Sequence, residues 1–84
     1  PFAIEIFPNP AHSFIKVRYQ LESDTQVDYF ITNAIGQLLK QGEFSNQQAG
    51  DHTETISLSE HRSKEILFLT VVFDNKFYIT KKIL

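Results

Sequence analysis

Apolar and polar residues alternate along much of this 84-residue chain with the period of two that is typical of β-strands. In residues 13–21, for example, Ile15, Val17, Tyr19 and Leu21 fall on one face and polar residues on the other. Such a strand buries one face and exposes the other to solvent. The same pattern predicts strands at residues 3–7, 13–21, 26–32, 37–44, 53–58, 66–73 and 76–83.

Turn-forming residues separate these strands. Pro8 and Pro10 each fix φ near −65° and lack a backbone donor, so residues 8–10 are predicted to form a turn after the first strand. Gly36 provides a position for positive φ before the fourth strand. Asp74 and Asn75 suit a type I′ turn, which predicts a hairpin of the last two strands. The polar residues 45–52 are expected to form a long loop that crosses between sheets.

Seven short strands without helical periodicity predict an all-β fold, a seven-stranded antiparallel immunoglobulin-like β-sandwich. The chain has neither the cysteines nor the tryptophan that mark antibody domains, so the expectation concerns architecture alone. Residues 66–73 are apolar on both faces. This pattern indicates either a central strand covered on two sides or a strand whose outer face meets a partner.

Composition and charge restrict the possible partners. With 42% hydrophobic residues, 21% charged residues and a net charge of −2, the chain is typical of an ordered globular domain. That charge favours neither nucleic acid nor an anionic membrane as a partner. No apolar run reaches the roughly 18 residues that cross a bilayer. Because the sequence begins at Pro1 without methionine, we expect it to be part of a longer protein.

No group of residues has the spacing of a catalytic or metal site. His12, His52 and His61 fall in predicted loops without ligand spacing and are interpreted as surface residues. No serine stands in a nucleophile-elbow context. Asp51 with Glu54, or Glu60 with Glu65, could pair as in glycoside hydrolases, but the predicted sandwich has no cleft to hold two carboxylates opposite each other. We therefore predict no catalytic residue, no metal and no cofactor.

Two sets of residues are candidates for contact with another protein. Phe30, Phe68 and Tyr78 are predicted on the less buried faces of their strands, where they could meet a partner or a preceding domain. Lys81 and Lys82 have two interpretations. They protect a sheet edge from association, or they form a basic handle that a receptor binds through charge-assisted hydrogen bonds.

Three segments, in order along the chain, resemble a known family. They are "IEIFPNPAHSFIKVRYQL", "VDYFITNAIGQLLKQ" and a closing "FYITKKIL". Together they resemble the type A C-terminal sorting domains of type IX secretion cargo proteins. That family has a "YPNP"-like turn, a "D-x-x-G-R/Q-x-V" segment whose glycine matches Gly36, and a final "T-K-K-I" strand. The chain departs from the family in placing Glu65 and Leu67 at a glycine and a tyrosine, and Asn33 at an acidic position.

The resemblance implies that this domain is a non-catalytic address at the end of a larger exported protein of the Bacteroidota. It implies entry to the periplasm, recognition at the outer membrane of a Gram-negative bacterium, and a product that is secreted or held at the cell surface. The implied partners are a receptor or shuttle protein, a sortase-like peptidase and the upstream cargo domain. Nucleic acid and direct membrane insertion are not expected.

The resemblance also implies roles for particular residues. Pro8, Asn9 and Pro10 would shape the first turn, Gly36 would shape the mid-domain corner, and Asn33 is a motif residue of the same segment. The final residues would be read by the machinery; these are Lys81, Lys82, Ile83 and Leu84.

Two alternatives remain open. The domain could be an accessory adhesion or carbohydrate-binding module, which would require exposed aromatics such as Phe30 or Tyr78 to form a flat platform. It could also be a structural spacer that stabilises or dimerises its neighbour through residues 66–73.

Overall fold

Seven β-strands make up the fold. The computed structural model describes residues 2–8, 11, 13–58 and 66–83. The strands are β1 (Glu5–Phe7), β2 (Phe14–Leu21), β3 (Thr25–Asn33), β4 (Leu38–Gln47), β5 (Gly50–Ser57), β6 (Leu67–Phe73) and β7 (Phe77–Ile83). Within the described part of the chain, no helix is long and apolar enough to cross a membrane.

The strands form two antiparallel sheets. One has the order β1-β2-β5 and the other β4-β3-β6-β7. These orders match the A-B-E and C′-C-F-G sheets of immunoglobulin-like sandwiches. The predicted fold class is therefore confirmed, including the number of strands and their antiparallel pairing.

Alternating apolar side chains of both sheets form a single core. From the three-stranded sheet come Ile15, Val17 and Ile56, and from the four-stranded sheet come residues such as Ile31 and Phe73, all at most 1% exposed. The alternation read from residues 13–21 is confirmed, because β2 buries every second residue. Burying one such side chain contributes about 1.5–3 kcal/mol, so this layer is the main source of stability.

β6 is a central strand, between β3 and β7, as one interpretation of its apolar sequence requires. Its outward-facing Thr70 and Val72 are each only 6% exposed. No third layer covers this face within the described residues. Side chains on the neighbouring strands shield it instead, since Phe30 and Thr80 flank Thr70 and Tyr78 lies opposite Val72.

The β6–β7 hairpin closes with the predicted type I′ turn. Asp74 and Asn75 have φ values of 55° and 53°, and the Lys76 amide donates to the Phe73 carbonyl over 3.0 Å. Asp74 also joins the turn to β3, because its backbone N–H donates to the Gln26 carbonyl and its carboxylate accepts from the Gln26 N–H.

The predicted long loop at residues 45–52 is wrong in its extent. β4 continues to Gln47 and β5 begins at Gly50, so a short link makes the crossover between the two sheets. The extra residues of β4 pair with the start of β3, after an irregularity in register between Val27 and Asp28. Pairing with an existing strand thus overrides the low β-propensity of this polar sequence. The expected crossover itself is confirmed.

The segment before β2 is attached at two places. Arg18 donates to the Glu5 carboxylate across the β1–β2 pair, and its guanidinium lies 5.4 Å from the ring centre of Phe7. At residue 2, the ring of Phe2 stacks on Phe73 at a centroid distance of 4.2 Å and contacts Phe77 at 5.3 Å. Phe2 thereby covers the start of the β6–β7 turn.

A chain of side-chain hydrogen bonds joins the two sheets on the side where β4 faces β5. The Tyr19 hydroxyl donates to the Gln47 side-chain oxygen, and the Gln47 amide donates to Glu54 over 2.7 Å. Burial raises the pKa of the Tyr19 phenol, and the nearby Glu54 charge raises that pKa further. Burial also raises the pKa of Tyr29. Both phenols are therefore held neutral in the folded domain.

This arrangement predicts loss of stability in alkali. An unfolded tyrosine ionises near pH 10, whereas the raised pKa keeps folded Tyr19 protonated, so its contribution is complete below about pH 10 and is lost above it. Because of Tyr19, the free energy of unfolding should fall by up to about 1.4 kcal/mol per pH unit above that pH. In urea titrations between neutral pH and pH 11, Tyr19→Phe should make this fall less steep. The exposed Tyr78→Phe is the matched control, and equal slopes in wild type and Tyr19→Phe would contradict the prediction.

Candidate functional site

The described residues carried over from the sequence motifs lie at one end of the sandwich. Within each sheet, the strand register aligns the end of β1 with the start of β2, and the β3–β4 corner with the end of β7. The hydrogen bond from the Lys40 ammonium to the Ser57 carbonyl joins the two sheets at this end. We call this the far end and define it as residues 7, 8, 11, 13–16, 31–40, 55–58, 66–69 and 81–83. Segments that are widely separated in the sequence are thus brought together there.

Asn33 organises the corner between β3 and β4. Its side-chain oxygen accepts hydrogen bonds from the backbone N–H of Ile35, over 3.1 Å, and of Gln37, over 2.9 Å. Its side-chain amide donates to the Gln37 side chain over 2.7 Å. This is the Asx geometry that Asn and Asp share, and it requires only an acceptor oxygen at the two backbone contacts. Asn33 can therefore replace the acidic residue of the family motif without loss of the turn.

Gly36 completes the same corner. Its φ is +85°, a region that side chains with a Cβ rarely adopt, and its N–H donates to the Asn33 carbonyl over 3.1 Å. No atom lies within 4 Å of the position that a Cβ would take. The glycine is thus required by backbone conformation and not by crowding.

The first turn is described in part. Pro8 follows β1 directly, is exposed, and is joined to Phe7 by a cis peptide bond. Ala11, further along the same connection, is buried at 2% exposure and belongs to the core. The predicted site residues Asn9, Pro10 and Leu84 lie outside the described residues, as do His12, His61 and Glu65.

The residues at the end of the last strand differ in exposure. Lys81 and Lys82 are exposed on β7, which is an edge of the four-stranded sheet. Ile83 is only 3% exposed and pairs with Leu67 of β6. Lys81 and Lys82 are therefore accessible to a partner, whereas Ile83 anchors the end of β7 in the core. Leu67, which replaces the tyrosine of the family motif, is fully buried beside it.

Exposed apolar side chains lie at the same end as these lysines, and the sequence analysis did not identify them. The exposed fractions are 81% for Ile35, 54% for Leu38, 45% for Ile66 and 40% for Phe14. All four belong to the far end. Their exposure could have been predicted from their positions next to turns. Ile35 and Leu38 lie on either side of the turn residue Gly36, and Phe14 and Ile66 lie where a strand starts.

The other candidates from the sequence lie elsewhere or show no site chemistry. Phe30, Phe68 and Tyr78 share the outer face of the four-stranded sheet, as predicted, but only Tyr78 is largely exposed. His52 lies in β5 and not in a loop, because β5 starts earlier than predicted; its ring stacks 5.8 Å from that of Tyr19. Among the described residues, no group of three or more histidine or carboxylate side chains is arranged to hold a metal ion.

The opposite end of the sandwich receives the N-terminal segment. We call it the entry end and define it as residues 2, 20–26, 47–51 and 73–77. Phe2 packs there against Phe73 and Phe77, beside the β6–β7 turn. The strands that run from one end to the other are seven to ten residues long, which corresponds to roughly 23–33 Å at 3.3 Å per residue.

The Asn33 corner provides a direct test of this geometry. Asn33→Ala should lower the free energy of unfolding by about 1–3 kcal/mol, because two backbone donors lose their acceptor. Asn33→Asp retains both contacts and should cost at most about 1 kcal/mol. Gln37→Ala removes only the side-chain bond to Asn33 and is the matched control in denaturant titrations. Equal losses for Asn33→Ala and Asn33→Asp would contradict the assigned role of the oxygen.

Comparison with known proteins gives one family match. A model of the secretion system C-terminal sorting domain matches residues 5–84, which is nearly the whole chain. No curated protein and no solved structure matches significantly. The matched region contains both sheets and every residue of the far end. The chain belongs to the family of C-terminal sorting domains that direct proteins through type IX secretion, across the outer membrane to the cell surface or the medium.

Proposed function

We propose that the far end is the surface by which the secretion machinery recognises this domain. The observation that carries the proposal is the convergence of the motif residues Pro8, Asn33, Gly36, Lys81 and Lys82 at one end of the sandwich. The machinery includes a receptor or shuttle protein that binds this surface and a sortase-like peptidase that acts upstream of it. The domain itself is non-catalytic.

The geometry supports a division of roles within the motifs. Asn33 and Gly36 fix the corner, and Ile83 fixes the last strand, so these residues act through the shape of the far end. Lys81 and Lys82 are exposed and charged, so they are available for direct contact. Charge-assisted hydrogen bonds from lysine to carboxylate are stronger than neutral ones and give a partner specificity.

We also propose that the domain follows a larger cargo protein. Phe2 lies at the entry end, so a preceding domain would be attached on the side of the sandwich away from the far end. The recognition surface would then remain accessible while the cargo is attached. Asn9, Pro10 and Leu84 are assigned to the same function by the family motif.

A transplant tests sufficiency. Residues 1–84 fused behind a periplasmically targeted fluorescent reporter should bring the reporter to the surface or the medium of a bacterium with type IX secretion. The same fusion should stay in the periplasm of a translocon-null strain. Retention of intact, folded fusion in both strains would contradict the proposed function.

The lysine pair tests the direct contact. Lys81→Ala combined with Lys82→Ala should lower the exported fraction about tenfold, the change that corresponds to about 1.4 kcal/mol of lost binding free energy. Lys76→Ala, at the entry end, should leave export unchanged. Truncation of residues 81–84 is less informative because it also removes the buried Ile83.

The same variants separate the two interpretations of this pair. If Lys81 and Lys82 only protect the sheet edge, the double variant should be exported normally but associate with itself in sedimentation. Normal export of the double variant would exclude the pair as a handle.

A further inference from the structure

Nine of the fourteen charged residues that the structure describes lie at the two ends of the sandwich, and they are segregated by sign. The far end contains Lys16, Lys40, Lys81 and Lys82, and none of its residues, as defined above, is acidic. The entry end contains Glu22, Asp24, Asp51 and Asp74, with Lys76 as its basic residue. A net charge of −2 therefore conceals a basic end and an acidic end. The connection at residues 59–65, outside the described part, has two basic and two acidic residues and leaves this balance unchanged.

The four lysines lie on different sides of the far end. Lys16 is on the outer face of the three-stranded sheet, because its neighbours Ile15 and Val17 point into the core. Lys82 is on the outer face of the four-stranded sheet, beside Phe68. Lys81 is at the β7 edge, and Lys40 is on β4 at the other edge, where its ammonium donates to the Ser57 carbonyl over 2.9 Å.

Four of the six large apolar side chains that are exposed among the described residues lie at the far end, nearer its tip than the lysines of the same or the neighbouring strand. Ile35 and Leu38 project from the β3–β4 corner, Ile66 precedes β6, and Phe14 begins β2. An apolar centre with a charged rim is the usual composition of a protein–protein interface.

We propose that the far end docks into a concave protein surface of the secretion machinery that has an apolar floor and a rim of carboxylates. This inference rests on the proposed function and adds the chemistry of the partner. It also assigns contacts to residues that the recognised motifs do not specify, chiefly Lys16 and Ile35. The acidic entry end is repelled by the same rim, so the charge distribution orients the domain during encounter.

The arrangement fits a concave protein better than a flat anionic membrane. Lys16 lies two residues after the first residue of β2, and Lys81 lies two residues before the last residue of β7. Each lysine is therefore set back from the tip by about 7 Å. Lys16 and Lys82 also point away from each other, outward from the two sheets. A flat surface against the end reaches the apolar tip but not both outward faces, whereas a surface that surrounds the end reaches all of them.

The test uses the reporter fusion and charge reversal. Lys16→Glu should lower the exported fraction about tenfold, because an attractive pair becomes a repulsive one. Lys16→Arg should be exported as wild type. Lys76→Glu makes the same change of net charge at the entry end and should leave export within about twofold of wild type. Ile35→Ser should also reduce export about tenfold, since it removes an exposed apolar contact and no core residue. Circular dichroism and urea titration of each purified fusion exclude loss of folding.

The outcomes distinguish this inference from the proposed function. If the wild-type fusion is not exported, the proposed function fails. If it is exported, and Lys16→Glu and Ile35→Ser are exported equally well, the sorting role stands but the inferred docking surface is wrong. Equal losses for Lys16→Glu and Lys76→Glu would indicate an effect of net charge alone and would also overturn it.

A vesicle-binding experiment distinguishes an acidic protein from an anionic membrane as the partner of the far end. Purified fusion is floated with vesicles of phosphatidylethanolamine alone and with added phosphatidylglycerol. We expect no flotation with either vesicle. Flotation that requires phosphatidylglycerol and is lost in Lys16→Glu would show that the far end binds an anionic membrane, and the inferred protein partner would then be wrong.

Discussion

The apolar layer between two short sheets is the constraint on which the rest of this structure depends. A chain of 84 residues without cysteine has no disulfide to supplement its core, and a domain of this size buries only about 60–65% of its unfolded surface. Every inward-facing position of β2 and β6 is accordingly used for packing. Recognition is left to the ends, the edges and the outer faces, and the exposed charges and apolar side chains are found there.

The sequence predicted those elements whose pattern is local. β2 alternates cleanly, β6 is apolar throughout, and Asp74-Asn75 specifies its turn by conformational preference, so all three were predicted correctly. The extent of β4 and β5 could not be predicted in this way. Residues such as Gln47 are strand residues because β3 offers them hydrogen bonds, and His52 lies in a strand because β2 pairs with it. Non-local pairing leaves no trace in the local pattern.

The candidate site shows the same limit more sharply. The motif residues Asn33, Gly36, Lys81 and Lys82 could be named from the sequence, but their convergence at one end follows only from the strand register. Lys16 belongs to the same surface and matches no motif; an alternating polar residue in a strand has no feature that distinguishes it. The role of Asn33 as the acceptor for two backbone donors likewise required the geometry of the corner.

The packing of Phe2 against Phe73 and Phe77 at the entry end has a mechanical consequence. A load that pulls on residue 2 while the far end is held acts parallel to the strands. The hydrogen bonds between β1 and β2 are then strained together in shear, instead of opening one after another as in a zipper. In this geometry even a strand as short as β1 transmits a pulling force from an attached protein to the sandwich before its pairing with β2 is lost.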